Sequence, residues 1–133
     1  MFACNSIAAV NIALVPDVCK TPTPVGPVPL PYPNLAQSAT HIPAVFHVMF
    51  GPGLAENLMT QGTISQGDTA GLASGLLSQV FMGPDRYLLG SLKLMVGGMF
   101  AMRMTSLTGH NGMPCNTVGS SLVPAQFRVL VCG

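Results

Sequence analysis

Charge is what this chain has least of. Of 133 residues, 5 are Lys or Arg and 4 are Asp or Glu, 7% in all, for a formal net charge of +1. An average soluble domain carries roughly a quarter charged residues. Five scattered cations make no basic stripe, so a nucleic-acid interface is excluded. An enzyme needs convergent titratable groups. The acids Asp17, Glu56, Asp68 and Asp85 sit far apart in the sequence, mostly beside glycine, proline or a turn. Asp17 and Asp68 read as cap and turn residues. No Gly-x-Ser-x-Gly elbow, phosphate loop or dinucleotide fingerprint is present. The expectation is a non-enzymatic protein.

Long apolar runs are missing as well. No charge lies between Lys20 and Glu56, but Pro43, Gly51, Pro52 and Gly53 break that window. A spanning helix needs about 20 mostly apolar residues, so no membrane span is expected. The N-terminus lacks a basic region, and Asn11 interrupts its apolar stretch, so no signal peptide is expected either. Cysteine is sparse, at four: Cys4, Cys19, Cys115 and Cys132. Without a signal peptide reduced thiols are expected. The count still leaves three readings open: apolar packing, a metal role, or two disulfides.

Against these absences, hydrophobic residues make up 49% of the chain. A surface so poor in charge is badly solvated alone, which implies that a partner covers much of it. The length suits one domain over residues 1–133 with a modest core. Glycine (15) and proline (12) punctuate the chain, which predicts a mainly β architecture: a small cone or wedge of short strands and hairpins with little helix. Ser91–Val96 and Met99–Met104 read as strands joined by Gly97-Gly98, a two-residue hairpin turn. Lys93 and Arg103 then mark solvent-facing positions. Gln126–Cys132 reads as a strand with Phe127, Val129 and Val131 on one face. Ala44–Phe50 reads as a strand or short helix. Leu54–Gln61 and Leu72–Val80 read as helical turns, the second from the spacing of Leu72, Leu76, Leu77 and Val80.

The most informative stretch is Asp17–Asn34, DVCKTPTPVGPVPLPYPN, which holds six prolines. Proline fixes φ and removes the N–H donor, and it pushes the preceding residue to extended geometry. The segment must be extended and cannot be a central strand. Val25, Val28, Leu30 and Tyr32 interleave the prolines and want burial. The expectation is a fixed strap laid over a core.

This stretch, with its Pro29-Leu30-Pro31-Tyr32-Pro33-Asn34 centre, resembles the signature of the PAAR-like proteins, which tip the spike of type VI secretion and related contractile injection machines. Asp17, Cys19, Lys20, Pro22 and Pro24 belong to the same motif. Gln66-Gly67-Asp68, Leu89-Gly90-Ser91, Thr108-Gly109-His110-Asn111-Gly112 and the stretch from Val123 to Val131 also look like the family. The resemblance implies a protein that caps a trimeric valine-glycine-repeat (VgrG-like) spike, one copy per trimer, and recruits a separate effector or adaptor. It implies assembly in the bacterial cytoplasm followed by secretion into a target cell or the medium. Small PAAR tips hold zinc with three histidines and one cysteine. His41, His47 and His110 with Cys19, or Cys115 as the sulfur, supply that set here, although PAAR-like relatives depart from the metal pattern. Read without the resemblance, the histidines serve equally as turn and core residues. A small metal- or redox-binding protein and the equivalent cap of a phage tail spike are the alternatives.

Overall fold

The computed structural model describes residues 1–43 and 45–133. The described residues form strands and one short 3-10 turn at Ser38–Thr40, with no α-helix. The strands are β1 (Val10–Ala13), β2 (Asp17–Thr23), β3 (Gly26–Tyr32), β4 (Leu35–Gln37), β5 (His41–Ile42), β6 (Met49–Phe50), β7 (Gly53–Leu54), β8 (Gln61–Gly62), β9 (Asp85–Leu89), β10 (Met95–Val96), β11 (Met99–Phe100), β12 (Leu107–His110) and β13 (Thr117–Val123). The mainly β class read from the sequence is correct, and the strands build a compact body.

Seven strands form one antiparallel sheet in the order β4-β1-β13-β12-β9-β8-β5. Its two edges, β4 and β5, are consecutive in the chain and joined by the 3-10 turn. The sheet therefore nearly closes on itself, which protects edges that would otherwise expose unpaired backbone.

The apolar core is small and built of small residues. One cluster holds Ala3, Val45, Phe50, Ala55, Val96, Ala101 and Val131; another holds Cys4, Ala9, Tyr87 and Met102. Buried side-chain amides supply much of the remaining order, because strands this short leave many backbone groups without a ladder partner. Asn5 donates to the Phe50 carbonyl at 2.7 Å and accepts from the Ile7 N–H. Asn57 donates to the Val96 carbonyl and accepts from the Met59 N–H.

Several local expectations need correction. The proline tract is an arm rather than a buried strap. β2 and β3 form a two-stranded hairpin in which Val18, Lys20 and Pro22 stand opposite Pro31, Pro29 and Pro27. Proline cannot donate, so these must be the non-hydrogen-bonded rungs, and the prolines strip N–H donors from the outer edge of β3. Val25 is 97% exposed, Val28 and Leu30 are exposed too, and Tyr32 is half-buried, its hydroxyl 2.5 Å from Thr21 Oγ1.

The helical turns expected at Leu54–Gln61 and Leu72–Val80 are absent. Leu54 belongs to β7, and Asn57 caps a tight turn that Thr60 N closes on the Asn57 carbonyl. In the second segment Ser74 and Gln79 take positive φ, 75° and 55°, which stops helix propagation. Its leucines are exposed, so no packed face exists to hold a helix. Gln126–Cys132 is not a strand. The Gln126 side chain accepts from the Arg128 and Val129 N–H groups and donates to the Ala3 and Val129 carbonyls, which bends the chain, and only Leu130 bridges Phe2. Phe127 is exposed and Val131 is buried, so they share no face.

The Gly97-Gly98 hairpin is present, with both glycines at positive φ (61° and 83°), but it pairs only β10 with β11. Ser91 Oγ takes the N–H groups of Lys93 and Leu94 and turns the chain before β10. Lys93 is exposed and Arg103 is half-buried. Of the segment 44–50, Ala44 lies outside the described residues, and Met49–Phe50 form β6, paired with β7.

Candidate functional site

The four acids, which are remote in sequence, are brought together as two buried pairs. Asp17, Glu56, Asp68 and Asp85 are all 0–1% exposed.

Glu56 and Asp85 flank His41. Its Nδ1 lies 2.7 Å from Glu56 Oε1 and its Nε2 lies 3.2 Å from Asp85 Oδ2. The sheet explains the reach. His41 on β5 pairs with Gly62 on β8, and Gly62 pairs with Asp85 on β9, so the three share one row. A Cβ at Gly62 would stand 1.6 Å from Asp85 Oδ1, so only glycine leaves the imidazole and the carboxylate room to meet. Burial pulls the His41 pKa down, but the hydrogen bonds and charges of Asp85 and Glu56 overcome it and raise it to about 9. His41 is therefore a cation at neutral pH, held between two acids. Tyr87 donates to Glu56 Oε2 at 2.7 Å and Asn11 donates to Asp85 Oδ2 at 3.3 Å. Burial first, then the Glu56 charge, pushes the Tyr87 phenol well above its ordinary value. This buried triad ties β5 and β9 to the Glu56 segment.

Asp17 and Asp68 flank Cys19 instead. One ligand atom from each of the three lies within 4.8 Å of the others. Cys19 Sγ is 3.5 Å from Asp68 Oδ2 and 3.6 Å from Asp17 Oδ1. Alternation along β2 turns Asp17 and Cys19 to the same inward face. Asp68 arrives from the Gln66-Gly67-Asp68 turn. Gly67 has φ +127°, and a Cβ there would meet the Pro33 carbonyl oxygen at 2.0 Å, so the turn packs directly on the end of the proline motif. The remaining contacts are amides. Asn111 Nδ2 donates to Asp17 Oδ2 and Asp68 Oδ2, each at 2.9 Å, while its Oδ1 accepts from the Gly83 N–H. Asn111 has φ +60°, a left-handed conformation that asparagine tolerates. Asn34, the last residue of the proline motif, donates to Asp17 Oδ2 at 2.5 Å, and Asn116 donates to Asp17 Oδ1. Burial, then the charges of Asp17 and Asp68, push the Cys19 thiol up to about 12. A neutral thiol with no exposed surface is a poor nucleophile, so this group is built to hold rather than to react.

Three sequence motifs therefore converge on one site: the proline motif through Asp17, Cys19 and Asn34, the glycine-aspartate turn through Asp68, and the Thr108–Gly112 stretch through Asn111. Lys20 alternates away from it, half-buried, and Pro22, Pro24, Pro29, Pro31 and Pro33 shape the hairpin above it. Asn116 carried no sequence signal. The turn reading of Asp68 is half of the truth: its carbonyl accepts the Gly71 N–H, but its carboxylate also binds the Met82 N–H inside the site.

The zinc set of three histidines with Cys19 or Cys115 does not fit. His41 is engaged by two acids. His110 is buried, with Nε2 3.0 Å from Thr108 Oγ1 and its pKa lowered by burial. His47 is exposed. Among the described residues no histidine joins a cysteine in a ligand cluster. All four cysteines are free; Cys115 is half-buried and Cys132 exposed.

Comparison with known proteins places these features in a family. No curated protein and no solved structure matches the chain. The sequence profile of the toxin PAAR-like domain matches residues 10–119, a span that takes in the proline motif, both acid pairs and Asn111. The chain belongs to the toxin PAAR-like domain family.

Proposed function

We propose that this protein is a non-enzymatic spike tip, which caps a trimeric VgrG-like spike and recruits an effector or adaptor for contractile injection. Membership of the toxin PAAR-like family supports a spike-tip, toxin-associated role. The observation that carries the finer reading is the inversion of polarity between interior and surface. All four acids are buried, whereas Phe46, Phe127, Leu77 and Leu92 are 66–73% exposed. A surface with no carboxylate and many large apolar side chains is suited to being covered. The end of a three-stranded prism offers apolar strand ends and unpaired backbone edges, which short strands can extend.

In this reading the tip assembles in the bacterial cytoplasm and leaves with the spike and the effector or adaptor it recruits. Deleting the gene should impair secretion by the machine, or delivery of one associated effector. The chain expressed alone in a susceptible cell should be harmless. Killing by this chain alone, from cytoplasm or periplasm, contradicts the non-enzymatic reading.

A further inference from the structure

The geometry points to the groove on the outer face of β8 and β9 as a docking site for a peptide segment of another protein, one that sets a carboxylate on Arg86 and large apolar side chains against the methionines around it.

Three observations lead there. The first is where Arg86 stands. Side chains alternate along β9, so Asp85 and Tyr87 turn inward to the His41 triad while Arg86 and Leu88 turn outward. There they line a groove of about 450 Å³ with Leu58, Met59, Met99 and Met113. Gln61, opposite Arg86 in the register of β8 with β9, adds an exposed amide to the rim.

The second is charge. Arg86 is half-buried, and its Nε is buried without a hydrogen-bond partner. Among the described residues the only ion pairs belong to His41. No acidic side chain of this chain is left for Arg86, because all four are buried and turned to His41 or Cys19. Charges drawn out of water are normally paired, so the counter-charge comes from outside. A second copy of the chain has no acidic side chain to offer, since its own are buried in the same way. A carboxylate matches the guanidinium fork, whose terminal nitrogens hold it bidentately.

The third is the wall. Met59, Met99 and Met113 come from three separate segments, the turn after Asn57, β11 and the loop after β12. Met59 and Met113 are more than half exposed. Flexible thioethers repack around varied side chains, and methionine and arginine are enriched at interface cores. Walls this open bury too little of a small molecule, which needs about 70–90% of its surface covered. A peptide segment, in contrast, covers the methionines as it binds. One cation among thioethers is also too few for an anionic membrane, which is held by clusters of basic residues. The groove would take such a segment whatever machine carries the chain, so its role extends beyond the spike-tip function and is tested apart from it.

The test selects a displayed library of random peptides on the full chain. Enriched sequences should carry Asp or Glu beside Leu, Ile, Met or Phe. A synthetic peptide of the consensus should lose about 10–100-fold in affinity when its acid is replaced by the amide, the effect of removing a hydrogen bond to a charged group. Arg86→Gln in the protein should weaken the acidic peptide as much. Arg128→Gln, beside a different cavity, should bind as the wild type does. If Arg86→Gln fails to fold, Gln61→Glu gives a second reading. At an exposed site it offers Arg86 a carboxylate across the strands, and it should weaken the peptide by a similar factor. Consensus peptides without an acid, an affinity that Arg86→Gln leaves unchanged, or no enrichment at all would each overturn the proposal. Phosphatidylglycerol vesicles that bind the wild type but not Arg86→Gln would make the occupant a lipid and overturn it equally.

Discussion

The two buried acid pairs meet the same problem with different means. Glu56 and Asp85 enclose His41, a cation supplied by the chain itself and delivered across a glycine rung of the sheet. Asp17 and Asp68 enclose a thiol and a set of amides, none of them charged. The first pair has a cation of its own, although His41 Nε2 and Asp85 Oδ1 make no hydrogen bond among the described residues. The second is satisfied in hydrogen bonds but not in charge. The comparison teaches that hydrogen-bond saturation and charge balance are separate conditions, since the first pair has a cation but orphaned atoms and the second has amides but no cation.

The largest effect should come from removing the internal cation. His41→Ala leaves Glu56 and Asp85 buried side by side, and breaking a buried pair costs about 3–5 kcal/mol. Urea unfolding at pH 7 measures this; a loss below about 1 kcal/mol would show that the pair is not held by charge.

The pH dependence separates the pairs next. The folded pKa of His41, about 9, lies above its ordinary 6.5, so the folded state binds this proton more tightly. Its stabilisation is fully present below about pH 6.5 and is lost as pH rises toward about 9, with an upper size of about 3 kcal/mol. Stability of the wild type should fall across that window, and that of His41→Ala should not. A parallel fall in both would place the titrating group elsewhere.

Asn111→Ala should do less. It removes the amide shared by Asp17 and Asp68, and hydrogen bonds to charged groups contribute about 1.5–3 kcal/mol. Urea unfolding measures the loss, and a change below about 0.5 kcal/mol would show that this amide is not what holds the two acids together.

The sequence was informative where a residue type forces a backbone geometry. Proline forced the extended arm, Gly97-Gly98 forced the hairpin, and dense glycine and proline forbade helices. Sequence distance misled where the outcome depended on which strands pair. Glu56 and Asp85 are 29 residues apart, Asp17 and Asp68 are 51 apart, and only strand order and the tight turn at Gly67 bring them together. The burial expected for Val25, Val28 and Leu30 failed for a different reason. Apolarity marks what is to be covered, but not whether the chain covers it with its own residues or leaves it to a partner. Leu72, Leu76, Leu77 and Val80 misled in the same way, since a helical spacing without a core to face does not make a helix.

Both pairs have one consequence in common: they draw every acidic side chain inside, so the exterior is left with apolar and uncharged polar side chains and a few cations. That exterior is the basis for the spike-tip reading. The mass of the complex formed when this chain is co-expressed with the spike protein of its own operon tests it most directly. The account predicts a stable assembly of three spike chains and one copy of this protein. A free monomer that never associates with that spike, at concentrations where the spike itself is trimeric, would contradict it.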